Sequence, residues 1–346
     1  MIELSIVIPS RDRRDVLVAG LERLAGSTAL GAFEVVVVDD GSRDGSADAV
    51  AAMAGALPYP LTVRREAPRG PAAARNSGVA AARAPVVLFL GDDAWSTPRL
   101  VERHVAFHRR RPAREDALLG RAIWDPSSPV TPFMRWLDEG GAQFDFALLE
   151  RDEDVGGRRF YTINVSAKAE LVRAAGGFDE GFPAAAAEDV ELGLRLQALG
   201  MRLAYDPEAL VHHHHPTSLD ATLRRMGRVG TGVRRLHELR PDVELPRPPG
   251  ARHRVKAGAL TAAWLAGVRS ERFRREVWRF LCHEAHREAL HSGRGEDVPR
   301  IGRRLAALAA RDPAALSPAA APPGSAPAAA RTRTAARSAR RSASSR

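Results

Sequence analysis

Two pairs of adjacent aspartates each follow a run of apolar residues. They are Asp39 with Asp40, and Asp92 with Asp93. Apolar runs of this length are typical of strands buried on both faces in a parallel sheet. Open α/β sheets bind ligands outside the carboxyl ends of their strands, which is where these carboxylates are expected. Carboxylates there can hold a divalent cation, and the cation can hold a diphosphate. The pattern therefore predicts a metal-dependent site for a phosphorylated ligand.

Each pair also has an ordinary structural explanation. Asp40 precedes Gly41, and Asp-Gly is a common turn pair. Asp92 and Asp93 would also suit a solvated entry into a helix. Because both pairs lie at predicted strand ends, about fifty residues apart in one αβ unit, a shared site is favoured over two unrelated turns.

Three other segments carry candidate chemistry. A helix that starts near Gly70 can direct free N–H groups at a phosphate, with Arg75 adding a charge, although its small residues also suit close packing on the sheet. Glu188 and Asp189 begin another helix, where acids stabilise the helix dipole. An Ala-rich segment precedes them, and a carboxylate beside such an apolar wall can act as a general base.

Residues 212–215 are four consecutive histidines. Alternate residues of a strand face opposite ways, so one or two of these imidazoles can reach a site while the others stay solvated. A cluster of all four around one metal is excluded for the same reason.

The elements that position these residues alternate in type up to residue 90 and indicate a parallel sheet covered by helices on both faces. The predicted strands are 2–8, 33–38, 61–65 and 85–90, and the predicted helices are 13–25, 46–53 and 70–82. The pattern then loosens, and residues 125–157 are predicted to be rich in loops. The later predicted elements are helices 98–111 and 188–199 and strands 117–123, 162–166, 201–205 and 209–213.

The chain divides into three parts by pattern. Residues 1–216 form the α/β part, and residues 217–311 are predicted to be a helical extension broken by a proline-rich linker at 241–249. Residues 312–346 are rich in Ala, Pro, Ser and Arg, and this composition predicts a disordered tail.

Charge and cysteine content exclude some classes of function. The formal net charge is +10, but six of these charges are arginines in the last sixteen residues, which contain no acid. The basic excess is therefore a tail rather than a face, and nucleic-acid binding is not predicted. A single cysteine, Cys282, and a first strand that begins near Met1 favour a cytoplasmic protein without a secretory signal.

Taken in order and spacing, the motifs resemble the family 2 glycosyltransferases, which have the GT-A fold, a Rossmann-like and mostly parallel sheet flanked by helices. The resemblance covers about residues 3–216 and is carried by segments 5–11, 38–46, 70–78, 89–93, 176–180 and 188–189. It implies that Asp40 accepts a hydrogen bond from the base of a nucleotide with Asp39 nearby. Pro9, Ser10 and Arg11 would line the same pocket.

The resemblance also implies a metal and diphosphate side. Arg75 would help to hold the diphosphate, and Asp93 would ligate Mg²⁺ or Mn²⁺. Asp92 would contact the ribose or the metal shell, and His212 would complete this side of the site. Gly91 stands where the family's DxD triplet has its first acid, so phosphate oxygens and waters would fill the metal shell.

The function implied is a metal-dependent inverting glycosyltransferase that moves a sugar from a nucleotide-diphosphate sugar to an acceptor hydroxyl. Asp189 would deprotonate the acceptor, supported by Glu188. The acceptor is open: a cell-envelope glycan, a lipid-linked acceptor and a secondary metabolite all fit. A non-catalytic nucleotide-sugar-binding or scaffold protein of the same fold is the alternative, and the Glu188–Asp189 pair argues against it.

The helical extension leaves two interpretations open. Its arginine pairs, residues 224–225 and 234–235, would suit anionic lipid, which would place the protein peripherally on the inner face of the membrane. Solvated helix faces account for the same pattern.

Overall fold

The computed structural model describes residues 1–140, 143–182, 184–294 and 299–316. The tail prediction falls almost entirely on residues 317–346, which lie outside the described residues. The apolar runs of the sequence become the interior strands of one twisted sheet. Four of these strands, Leu4–Ser10, Phe33–Asp39, Val86–Leu90 and Asn164–Lys168, are almost completely buried because helices or loops cover both faces.

Within the described residues the sheet has eight strands: β1 Leu4–Ser10, β2 Phe33–Asp39, β3 Leu61–Arg65, β4 Val86–Leu90, β5 Ala94–Ser96, β6 Asp116–Trp124, β7 Asn164–Lys168 and β8 Arg202–His213. Their order across the sheet is β3-β2-β1-β4-β7-β6-β8-β5. The first four are mutually parallel, as predicted. β7 runs antiparallel between β4 and β6, β8 is parallel to β6, and β5 is antiparallel to β8. This mixed sheet flanked by helices confirms the predicted fold class.

The helices cover both faces of the sheet and continue beyond it. They are α1 Arg14–Leu24, α2 Ser46–Met53, α3 Pro71–Ala81, α4 Leu100–Arg110, α5 Pro132–Glu139, α6 Ala169–Ala174, α7 Glu188–Ala198, α8 Leu219–Leu239, α9 Ala251–Leu265, α10 Glu271–Ser292 and α11 Arg303–Ala309. Because β1, β2 and β4 are parallel, their carboxyl ends open at the same edge of the sheet, where the four aspartates lie.

Two local features differ from the prediction. Helix α5 lies inside the stretch predicted to be loop-rich: the side chain of Thr131 caps it by accepting a hydrogen bond from the amide of Met134 (3.2 Å), and Pro132 occupies its first turn. The two last predicted strands are one strand, β8. Its pairing with β6 shifts between Gly120 and Arg121, and this irregularity absorbs Pro207 without ending the ladder.

The C-terminal helices share an apolar core with α5. The ring of Trp278 on α10 lies 5.2 Å from that of Phe133 and 5.7 Å from that of Trp136. Leu223 on α8 and Leu260 on α9 belong to the same buried cluster. The apolar core therefore continues across the predicted boundary at residue 216, because α5 precedes that boundary and packs with helices that follow it.

Helix α8 approaches the chain that leads into α7 especially closely at Gly232. A Cβ atom at Gly232 would lie 2.1 Å from the carbonyl oxygen of Ala186, a separation that side chains do not tolerate. We expect Gly232→Ala to lower the free energy of unfolding by about 1–3 kcal/mol, since α8 must move away from this backbone. Urea unfolding measures the change.

Gly258→Ala is the matched control for this substitution. Gly258 is exposed on α9, and a Cβ atom added there would meet no other atom within 4 Å. Alanine at this position should therefore be neutral or stabilising by up to about 1 kcal/mol. Equal stability of the Gly232→Ala protein and the wild type would show that the contact does not fix α8.

Candidate functional site

The loops after β1 and β2 form one wall of the site and are tied to each other. The amide of Arg43 donates to Asp12 (2.6 Å), and the amide of Asp12 donates to the hydroxyl of Ser42 (2.9 Å). Pro9 lies in β1 opposite Val38, one residue before the end of the strand. The predicted pocket residue Arg11 is exposed beside Asp12.

The two aspartates at the end of β2, Asp39 and Asp40, have different surroundings. The carboxylate of Asp40 accepts hydrogen bonds from the amides of Arg69 (2.7 Å) and Gly70 (3.0 Å), so it holds the loop that precedes α3. Asp39 accepts a long bond from the amide of Ser42 (3.3 Å) through one oxygen, Oδ2. Its other oxygen, Oδ1, is buried and has no partner among the described residues. A buried acceptor without a partner is costly, so Asp39 is the carboxylate that is available to a ligand.

Asp92 and Asp93 follow β4 and are joined to the first loop. Ser10 Oγ donates to Asp92 (2.8 Å), and the guanidinium of Arg13 lies 3.1 Å from Asp93 and 3.6 Å from Asp92. Burial, with the charge of the adjacent Asp93, raises the pKa of Asp92 to about 6. Arg13 has no counterpart among the predicted site residues. The sequence feature that could have indicated it is the position of this arginine, three residues after the end of β1.

Two of the four histidines converge on Asp93. Nε2 of His213 lies 3.4 Å and Nδ1 of His215 lies 3.2 Å from Asp93 Oδ2, and one donor atom of each of the three residues lies within 4.8 Å of the others. His214 instead contacts Asp125 (2.7 Å). His212, the histidine predicted to ligate the metal, lies outside this cluster because successive residues of the chain alternate in direction.

The donor set of this cluster fits a divalent transition metal. It offers one carboxylate oxygen and two imidazole nitrogens, and imidazole favours Mn²⁺ over Mg²⁺, which prefers oxygen ligands and water. A Cβ atom at Gly91 would lie 3.0 Å from Asp93 Oδ1. An acid at position 91 would therefore crowd Asp93, and the two histidines offer donor atoms beside the carboxylate where the sequence pattern lacks an acid.

Arg75, which is predicted to help hold the diphosphate, is paired with the predicted catalytic carboxylate Glu188. Its Nη1 donates to Glu188 Oε1 (2.8 Å), both side chains are buried, and its guanidinium lies 5.4 Å from the ring centroid of Phe178. Asp40 fixes the start of α3, and α3 carries Arg75. The ion pair between Arg75 and Glu188 therefore links α3 to the start of α7. Arg75 is thus engaged in positioning Glu188.

Asp189 is partly buried in the first turn of α7. Its Oδ1 accepts a hydrogen bond from the amide of Val190 (2.8 Å). Burial, with repulsion from Glu188, raises the pKa of Asp189 to about 6, and Arg75 opposes this rise. A carboxyl group with this pKa is ionised at neutral pH and is a better proton acceptor than an ordinary aspartate.

Comparisons with known proteins agree with this architecture. The model of "Glycosyl transferase family 2" matches residues 5–119, and the model of "Glycosyl transferase family group 2" matches residues 159–278. Together the two matches take in all four of the aspartates after β2 and β4, the histidines and the first turn of α7.

Two curated relatives are similar over long stretches. Validoxylamine A glucosyltransferase of Streptomyces hygroscopicus subsp. jinggangensis is 34% identical over 228 residues, which are 60% of this chain and 54% of that protein. Pre-mycofactocin glycosyltransferase of Mycobacterium tuberculosis is 31% identical over 279 residues, 76% of this chain and 52% of that protein. The chain thus spans about half the length of these relatives.

A solved structure has a similar fold. The mannosyltransferase PcManGT from Pyrobaculum calidifontis, in complex with GDP-Man and Mn²⁺, superposes with a TM-score of 0.55 at 18% identity, covering 89% of this chain and 86% of that one. At this identity the likeness concerns the fold. With the family models and the GT-A architecture in agreement, the chain belongs to the family 2 glycosyltransferases.

Proposed function

We propose that the protein transfers a sugar from a nucleotide-diphosphate sugar to an acceptor hydroxyl, in one displacement that inverts the anomeric carbon and depends on a divalent cation. The observation that supports this most directly is the Asp93–His213–His215 cluster at the carboxyl edge of the sheet. It lies beside the loops that hold Asp39, whose buried Oδ1 has no partner among the described residues.

The residues divide the work between them. Asp39 accepts a hydrogen bond from the nucleotide base, in place of Asp40, whose carboxylate already holds the loop before α3. Asp93, His213 and His215 would hold the cation, which when bound offsets the charge that builds up on the departing diphosphate.

The transfer step requires one base. The proton of the acceptor hydroxyl passes to Asp189, and the acceptor oxygen forms a bond to the anomeric carbon. The bond between that carbon and the phosphate oxygen breaks at the same time, and its electron pair leaves with the nucleoside diphosphate. No covalent sugar–enzyme intermediate is required, so a second carboxylate nucleophile is not needed.

The names of the similar proteins are consistent with this proposal. The relatives are a glucosyltransferase and a glycosyltransferase, and the solved neighbour holds a nucleotide sugar with Mn²⁺. By analogy we propose Mn²⁺ as the cation, which agrees with the two imidazole donors. The proposal assigns no particular donor sugar, nucleotide base or acceptor.

A donor screen tests the proposal. The protein is incubated with Mn²⁺ and a panel of uridine, guanosine, adenosine and thymidine diphosphate sugars, and release of the nucleoside diphosphate is followed with and without EDTA. We expect metal-dependent release from at least one donor. Binding of a sugar nucleotide without any release, even with acceptor extracts, would favour the non-catalytic alternative.

The rate should depend on pH through Asp189. A general base acts only when deprotonated, and the pKa of this carboxyl is raised to about 6. We therefore expect kcat/KM to be constant above pH 7 and to fall about tenfold per pH unit below about 6. Circular dichroism at pH 5 controls for unfolding. A rate that stays flat down to pH 5 would exclude this carboxyl as the base.

A peripheral membrane contact also stays a prediction. Within the described residues no helix is both long and apolar enough to cross a bilayer. Arg224 and Arg234 pair with Asp220 and Glu238 on their own helix, and Arg235 contacts Asp179, so less positive charge is free than the sequence suggests. Sedimentation with anionic and neutral liposomes tests the contact.

A further inference from the structure

One arginine of the helical extension faces the site rather than the solvent. Arg225 lies in the second turn of α8, a helix that begins four residues after His215. Its neighbours Arg224 and Arg228 are exposed, whereas Arg225 is partly withdrawn from solvent. Burial lowers the pKa of its guanidinium, and the acids that act on it are Asp189, Asp93 and Glu188.

Arg225 lies seven residues before Gly232 on α8 and shares a helix face with it, and Gly232 lies against the carbonyl of Ala186, two residues before α7. This face of α8 is therefore directed at the start of α7, and the acids that act on Arg225 come from both halves of the site. Asp93 belongs to the metal cluster and Asp189 is the proposed base, and His213 of the cluster also senses the positive charge of Arg225. Yet among the described residues Arg225 forms no ion pair or hydrogen bond. A partly desolvated cation without a partner is unfavourable unless an anion completes its surroundings.

The position of this cation is fixed by packing on both sides of α8. Leu219, Leu223 and Met226, which flank Arg225 in the sequence, are buried in the core that α8 shares with α5 and α10. Further along the helix, Gly232 lies against the carbonyl of Ala186, two residues before α7. The backbone of Arg225 is therefore held in a fixed position, so little backbone conformational entropy is lost when Arg225 binds a ligand.

We propose that Arg225 binds the diphosphate of the donor and stabilises it as it leaves, so that the helical extension completes the active site. This inference rests on the proposed function. The bond that breaks lies between the metal-held diphosphate and the acceptor beside Asp189, and Arg225 acts on both of these centres. Its N–H groups donate to phosphate oxygens, whose negative charge grows as the C–O bond breaks, and no proton is transferred.

An anionic acceptor could also bind Arg225. The experiment must therefore show whether the bound anion is the diphosphate of the donor or a group of the acceptor. Calorimetry in Mn²⁺ compares uridine and guanosine diphosphates with their monophosphates and nucleosides, for the wild type, Arg225→Ala and Arg225→Lys. Arg224→Ala is the control, because Arg224 is the adjacent residue on the same helix, is exposed and pairs with Asp220. Donor and acceptor KM and kcat are measured on the same proteins.

We expect Arg225→Ala to bind nucleoside diphosphates about 10- to 100-fold more weakly than the wild type and to bind nucleosides equally well. The control variant Arg224→Ala should bind both as tightly as the wild type. Arg225→Lys should recover part of the loss, since it keeps the charge and loses the two-pronged donor geometry. The kcat of Arg225→Ala should fall as well, because the interaction strengthens while the bond breaks.

Two results would overturn the inference. Unchanged diphosphate affinity with a raised KM for the acceptor would assign the anion to the acceptor. An equal loss for nucleoside, monophosphate and diphosphate, with no recovery in Arg225→Lys, would show a purely structural role. If the wild type binds no nucleoside diphosphate at all, the proposed function itself fails, and this inference fails with it.

Discussion

Replacing Asp189 by asparagine should lower the rate of sugar transfer by roughly 10²- to 10⁴-fold, the contribution that a positioned general base makes. The amide keeps the size of the side chain but cannot accept the acceptor's proton. Burial and Glu188 raise the pKa of Asp189 to about 6, so the wild-type carboxylate is both ionised and basic at pH 7. Release of nucleoside diphosphate in the presence of acceptor measures the rate.

The same variant should bind the nucleotide almost as tightly as the wild type. Asp189 lies in the first turn of α7. The proposed contacts to the nucleotide's base and to the metal come instead from the ends of β2, β4 and β8 and the residues that follow them. Asp48→Asn is a suitable control, because Asp48 is exposed on α2 and its ion pair is with Arg65, away from the site residues. Transfer by Asp189→Asn at the wild-type rate would refute the assignment of the base.

Replacing Asp93 by alanine should abolish the metal-dependent part of nucleotide binding. The cluster would lose its only carboxylate, and two neutral imidazoles hold Mn²⁺ weakly. A nucleoside diphosphate that binds the wild type more tightly with Mn²⁺ than with EDTA should bind the variant equally under both conditions. Calorimetry measures both affinities.

The histidines provide a matched comparison for this prediction. His213→Ala removes a nitrogen of the cluster and should weaken Mn²⁺-dependent binding about 10- to 100-fold, in the range of losses seen when metal sites are perturbed. His212→Ala, one residue earlier on β8, should leave it intact. The opposite pattern would restore His212, the residue implied by the family resemblance, as the ligand.

The sequence was sufficient for the part of the fold that repeats locally. The strands β1, β2 and β4 are long apolar runs, and each is followed by polar residues at the same edge, so both the parallel sheet and the positions of the aspartates could be predicted. Helix α5 was missed because its first turn depends on one cap and its apolar side is covered by helices more than eighty residues away. Periodicity within a short window does not report such contacts.

The roles of individual side chains were harder to predict than their location. The alternation of the histidines was recognised, but their phase depends on how β8 pairs with β6, and a shift of one residue exchanges His212 for His213. Asp39 and Asp40 differ only because the loop before α3 returns to Asp40. Such assignments require long-range geometry.

The contacts of Arg75 also depend on long-range geometry. An arginine in a helix that starts at the phosphate side of a sheet is a reasonable ligand for a diphosphate. Its partner, Glu188, is 113 residues further along the chain, and nothing in the local sequence connects them. A further cation of the proposed site, Arg225, lies outside every segment that carried the family resemblance.

The most direct test of a metal-assisted single displacement with Asp189 as the base is the anomeric configuration of the first product. Proton NMR would follow the sugar from the donor found in the screen, in Mn²⁺, for the wild type and Asp189→Asn. We expect the first product of the wild type to have the anomeric configuration opposite to that of the donor, and the variant to form almost none. Retention of configuration, or inverted product from Asp189→Asn at the wild-type rate, would contradict it.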